Sequence, residues 1–222
     1  MAKTQRLNLG AIEDSLRGVQ ADFARINQTL DTPRDPLGED VLQRMLLGYQ
    51  QVDGYLADGV DLFAPGNSPL VLELNVRVLC GLDSAVRAEC ASQIDAPQRH
   101  FYAKSDGGIE ALVDWVHGLN GASAWRRAAS TYIHILSQPQ LFIEGNHRTG
   151  SLVMSLMLAR DGKPPFVLSV ENAKAYFDPS AVVKSSRKHT LRMLLDRPKL
   201  VKRFADLLKD DAEKIHLDGL ST

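Results

Sequence analysis

The run Gln140-Leu-Phe-Ile-Glu-Gly-Asn-His-Arg-Thr-Gly150 places a carboxylate, a glycine, an amide, an imidazole and a guanidinium at consecutive positions 144 to 148. An apolar stretch that reads as a buried helix follows directly. The first backbone N–H groups of a helix have no acceptor inside it and carry the positive end of its dipole, so such a terminus attracts phosphate. Gly145 permits close backbone approach, Arg148 offers a forked donor, and Glu144 is a hard oxygen ligand able to hold a cation such as Mg2+ beside an anion. The same residues also satisfy a purely structural reading. In it Gly145 and Asn146 are the turn and cap of the helix, and Arg148 is solvated.

His147 likewise has two readings: an imidazole that takes a proton or donates to phosphate, or a polar first-turn residue facing solvent. His134 falls opposite the Trp125, Ala129, Ile133, Leu136 stripe on a helical wheel and is expected to point away from the core. His100, His117, His189 and His216 show no metal-ligand spacing such as HExxH, and no GxSxG elbow is present. Cys80 and Cys90 lack CxxC spacing and read as buried thiols rather than as a disulfide or zinc site.

The elements that must position these groups are helical. Leu9, Ile12, Leu16, Val19, Phe23, Ile26 and Leu30 alternate spacings of 3 and 4, the stripe of an amphipathic helix that ends before Pro33. That stripe reads as an arm packed on the core or as a dimerisation surface. Further helices are expected over about 39–58, 69–80, 109–119, from 124 to the interruption at Pro139, and 146–159, the last apolar nearly all round. Two more are expected over about 180–195 and 198–215, divided at Asp196-Arg197-Pro198. Between Gly81 and Gly108 the periodicity fades, and residues 99–108 read as an extended segment or a short β-hairpin.

With 44% hydrophobic and 24% charged residues in 222, the chain can bury a real core, which excludes a disordered tail. A formal net charge of -1 argues against a general nucleic-acid coat or a polybasic membrane binder. Residues 183–203 are locally basic, with eight Lys+Arg against one Asp, and read as a solvated face or as a surface for an acidic partner. Apolar runs such as 69–72 and 152–154 fall far short of the roughly 18 residues needed to span a bilayer, and the start MAKTQRLNLG has no apolar signal core. A cytoplasmic location without membrane contact is expected.

The stretch at 140–151 resembles the motif of the Fic/Doc (Fido) family, H-x-F-x-[DE]-G-N-G-R-x-x-R. It matches at Phe142, Glu144, Gly145, Asn146 and Arg148, five of the eight fixed positions. A weaker likeness extends over about 40–180, including Leu-Glu-Leu-Asn at 72–75 and Tyr176-Phe177. The resemblance implies an all-α, Fic-like helical bundle, here with an N-terminal helical arm over 1–35 and the Fic-like domain over 36–222, its core at about 70–180. It implies that the loop binds ATP, or another nucleoside triphosphate, with Mg2+, and that AMP passes to a hydroxyl side chain of a target protein. By position, Glu144 would hold Mg2+, Gly145, Asn146, His147 and Arg148 would line the phosphate site, and Phe142 would seat the loop.

Three positions depart from the motif. The family's catalytic histidine is Gln140, whose amide is not basic near neutral pH. The glycine after Asn is His147, a substitute base by position; the Doc branch carries a lysine there and transfers phosphate. The last arginine is Ser151. The inhibitory pattern [ST]-x-x-x-E-[GN] is absent from the first 80 residues and from the C-terminal region. The resemblance therefore implies one of three outcomes: impaired adenylyl transfer, Doc-like transfer of another phosphate-containing group assisted by His147, or a non-catalytic interaction scaffold.

Overall fold

The computed structural model describes residues 5–92 and 95–218, and the side chains of 89–96 lie outside the description. Ten α-helices occur among the described residues: α1 (Leu9–Thr29), α2 (Glu39–Ala57), α3 (Ser68–Cys80), α4 (Ser84–Ser92), α5 (Asp95–Phe101), α6 (Ile109–His117), α7 (Ala124–Leu136), α8 (Asn146–Arg160), α9 (Ala173–Ser185) and α10 (Leu191–Leu207). A 3-10 turn at Asp211–His216 follows. The protein is all-α. Among the described residues no helix is long and apolar enough to cross a membrane.

α8 lies at the centre, packed on α7, α2 and α3. Leu152 to Leu156 and Leu158 to Ala159 are buried, as are the polar Thr149, Ser151 and Ser155, which fits the all-round apolar pattern with small polar interruptions. Gly150 lets α8 approach α7 closely: a Cβ there would sit 2.8 Å from the Tyr132 ring. α1 begins at Asn8, whose side-chain oxygen accepts from Ala11 N at 3.2 Å, and buries Ile12, Leu16, Val19, Phe23 and Ile26 against α2 and α9. Its preceding segment is tied down by an ion pair from Arg6 to the buried Asp53 and by Leu7 N donating to Asp53 Oδ1 at 2.8 Å.

Four expectations are corrected. Residues 99–108 form no hairpin; they are the end of α5 followed by tight turns, with Gly108 N bonded to Ser105 O at 2.9 Å. The division between the last two long helices falls at 186–190 instead of 196–198. Thr190 accepts from Met193 N at 3.3 Å and starts α10, and Pro198 lies inside that helix. His134 is buried, because α7 is covered by α6, α8 and α10 on several faces, and its ring lies 5.4 Å from that of Trp115. Cys80 is disulfide-bonded instead of free, while the Cys90 side chain lies outside the described residues.

The basic stretch is partly structural. Lys188 is fully buried, and its ammonium donates to the carbonyls of Asp106 at 2.8 Å and Pro139 at 2.7 Å, while burial lowers its pKa to about 8. Lys188 N also donates to Gln138 O at 2.9 Å. These bonds fix the chain immediately before Gln140. Arg197 stacks on Trp115 with its guanidinium carbon 4.3 Å from the ring centre.

Candidate functional site

The loop between α7 and α8 is held from below by aromatic packing and from within by one amide. Phe142 is buried and stacks on Phe101 with centroids 5.5 Å apart, which seats the loop in the core. Asn146 Oδ1 accepts from Phe142 N at 2.9 Å, and Asn146 Nδ2 donates to Phe142 O at 2.7 Å. Each end of that buried amide makes one bond to the Phe142 backbone, so Asn146 shapes the loop.

Gly145 takes φ +77, the left-handed region that glycine enters without penalty, and a Cβ there would lie 2.8 Å from Asn75 Nδ2. α8 starts directly after it with no side-chain cap. Its first internal bond runs from Thr149 N to Gly145 O at 2.9 Å. Asn75 on α3 braces the turn, donating to Glu144 O at 2.9 Å and to Thr149 Oγ1 at 3.0 Å. A buried asparagine among Val71, Leu74 and Val78 was the sequence signal for this brace: a polar residue on an apolar stripe needs a partner.

Gln140 does not join the start of α8. Its Nε2 donates to Leu136 O at 3.0 Å, closing the end of α7, and its backbone carbonyl bonds His100 Nε2 at 2.8 Å. Arg148 donates from Nη1 to Val78 O at 2.8 Å, with Nη2 3.6 Å from Glu144 Oε1. Burial lowers its pKa, and the Glu144 charge opposes that shift. The Glu144 side chain is 74% exposed, so that pairing is loose and the carboxylate can turn toward a cation. Among the described residues no group of three or more His, Cys, Asp or Glu could hold a metal ion by itself. A single carboxylate suits Mg2+ that keeps water and phosphate oxygens as its other ligands.

His147 does not face solvent as a free first-turn residue. Its Nδ1 lies 3.1 Å from Tyr132 Oη, its carbonyl accepts from Tyr176 Oη at 3.2 Å, and its Nε2 is buried without a partner. Burial, with Arg34 and Lys184 adding repulsion, lowers its pKa to about 3, so the ring is neutral at ordinary pH. His147, Arg148 and Ser151 line one wall of a cavity of about 340 Å3 that α1, the α1–α2 connection, α2 and the chain through α9 complete. Arg34, Tyr132 and Ser180 were not singled out by sequence reasoning, since no spacing links them to the loop.

The fold and this loop define an all-helical protein with an uncapped, glycine-led helix start beside an arginine and an exposed carboxylate. No family model matches the chain, and no solved structure matches it. Among curated proteins, Protein adenylyltransferase fic-1 of Caenorhabditis briggsae is 29% identical over 113 residues, covering 48% of this chain and 22% of that protein. The similarity points to a Fic-family relationship. The chain matches less than a quarter of that relative's length.

Proposed function

We propose that this chain binds a nucleoside triphosphate, ATP by family default, at the start of α8 in the manner of a Fic-like nucleotidyltransferase, residues 36–222 forming the Fic-like unit. The observation that carries the reading is the open first turn of α8 behind Gly145, with the Arg148 guanidinium beside it. The N–H groups of that turn and the dipole behind them suit a phosphate, and Arg148 retains donors beyond the one given to Val78 O. Glu144 would hold Mg2+, which would neutralise charge on the bound phosphates. Asn146 acts indirectly, by keeping the loop closed on Phe142.

Adenylyl transfer requires a target hydroxyl oxygen to attack the α-phosphorus, the bond to the β-phosphate bridging oxygen to break, and the hydroxyl proton to reach a base. Gln140 offers none: its amide is not basic and is turned to Leu136 O. Loss of a general base costs a factor of roughly 100 to 10,000. The activity assigned is therefore AMP transfer to an unidentified target protein, impaired at the proton-transfer step.

The unpaired Nε2 of His147 supports a second reading, Doc-like transfer of another phosphate-containing group. A ring that protonates only near pH 3 accepts a hydrogen bond but is a weak base, so this reading ranks second. Incubation with α-labelled and, separately, γ-labelled ATP and a cell lysate distinguishes them. We expect little label from the parent and α-label transferred by Gln140→His. Retained γ-label would favour the Doc-like reading, and no label with either protein would leave an interaction scaffold.

A further inference from the structure

The first two turns of α10 present an apolar stripe to solvent. Leu191, Leu194 and Leu195 are 73%, 57% and 67% exposed, and with the exposed Pro198 they fall at i, i+3, i+4 and i+7, one face of the helix. The opposite face holds the helix to the protein: Met193, Val201, Phe204 and Ala205 are buried, and α10 packs on α7 and α9. A single exposed leucine is ordinary, whereas three side by side at helical spacing form a patch that marks an interaction surface.

Cations border the stripe. Lys202 continues it at i+11, and Arg192, Lys199 and Arg203 run in the next row along the helix. Arg187 stands exposed just before the helix begins. Among the described residues Arg187, Lys199, Lys202 and Arg203 have no carboxylate within ion-pair distance, while Asp196 is engaged by Arg192 at 3.6 Å and Asp206 by Lys209 at 2.9 Å. The whole chain carries a formal charge of -1, but a surface approaching this side meets a local positive excess.

Charge and area narrow what can cover the stripe. A second copy of the chain would match the leucines but, across a two-fold axis, would set the same cations against themselves. A stable protein partner needs a matched surface of about 800 Å2 on each side, and two helical turns are only about 11 Å long. A lipid surface needs no matched shape: apolar side chains enter the acyl boundary, neighbouring cations meet anionic headgroups, and the two attractions add.

We propose that α10 seats the protein on the surface of an anionic phospholipid bilayer, with Leu191, Leu194 and Leu195 in the acyl boundary and Arg187, Lys199, Lys202 and Arg203 at the headgroups. The helix lies on the bilayer and does not cross it, since its other face is committed to the core. None of these residues belongs to the loop that starts α8, so the inference is independent of nucleotide binding.

The test is sedimentation of the full chain with lipid vesicles. Binding is expected to vesicles of equal parts phosphatidylcholine and phosphatidylserine, about tenfold weaker or less to phosphatidylcholine alone, and reduced by raised salt. The combined variant Leu191→Gln, Leu194→Gln and Leu195→Gln changes exposed positions to a good helix former, so its melting temperature should stay close to the parent's while binding weakens more than about tenfold. Lys199→Glu with Lys202→Glu should weaken binding by about tenfold through charge alone. No sedimentation with the anionic vesicles at low salt, or equal binding to both vesicle types, would overturn the inference. So would a response to the charge reversal but not to the leucine variant, which would indicate a surface for an acidic protein. A dimer in ultracentrifugation that the leucine variant abolishes would overturn it as well, by showing that a second copy covers the stripe.

Discussion

The Asn146 amide closes the α7–α8 loop on itself, meeting both the N–H and the carbonyl of Phe142. Asn146→Ala leaves those two buried groups unpaired, at roughly 1 to 3 kcal/mol each. We expect a loss of about 2 kcal/mol or more, read as a lower urea midpoint at unchanged m value; an unchanged midpoint would show that the clip contributes nothing. Gly145→Ala should also destabilise, since a left-handed backbone costs a side chain about 1 to 2 kcal/mol and its Cβ would press on Asn75. At this scale the sequence showed where the chemistry-bearing residues cluster, but not which of their atoms are free. The types at 144–148 were readable because they are contiguous. The turning of Gln140 toward Leu136 O was not, because residue type alone does not say which nearby acceptor an amide meets, and the groups met by Asn75 and Arg34 were not, because they lie far away in the chain.

Helices whose apolar residues recur on one face were legible nearly to the residue, α1, α2, α3, α6 and α7 among them, and α8 falls where its all-round apolar run put it. The misplaced boundary between α9 and α10 has a local cause. A proline within a helical pattern was read as a break, whereas Pro198 sits inside α10 and the true start is set by the Thr190 hydroxyl. Thr190→Ala should cost about 1 kcal/mol, a fall of roughly 2 to 4 °C in melting temperature for a chain of this size. A smaller fall than that of an exposed control such as Ser185→Ala would contradict the capping role. His134 was misjudged because a helical wheel assumes one buried face, and α7 is packed by neighbours on several.

For the whole molecule, two enclosed imidazoles link stability to acid. Burial lowers both His134 and His147 from 6.5 to about 3, with Lys188, Arg197 and His189 adding repulsion at His134 and Arg34 and Lys184 at His147. Between those values the unfolded chain takes up protons that the folded one refuses. Their contribution is therefore complete above pH 6.5 and lost as pH falls toward 3, with a slope of about 1.4 kcal/mol per pH unit for each ring. Asp53 and Asp178, whose pKa values are lowered by Arg6 and Lys174 against the cost of burial, add to the loss at lower pH. Urea midpoints measured between pH 7 and 5 should fall for the parent and fall less steeply for His134→Phe; parallel curves would remove His134 from the account. The all-α architecture was legible from periodicity alone. The cavity was not, since four separate chain segments meet to form it. The central claim, that the start of α8 binds nucleoside phosphate, is tested most directly by the melting temperature with ATP and Mg2+. We expect a rise of several degrees, corresponding to about 2.7 kcal/mol at one hundred times the dissociation constant, and its disappearance in Arg148→Ala. No shift with any nucleotide at millimolar concentration, or an equal shift in Arg148→Ala, would contradict it.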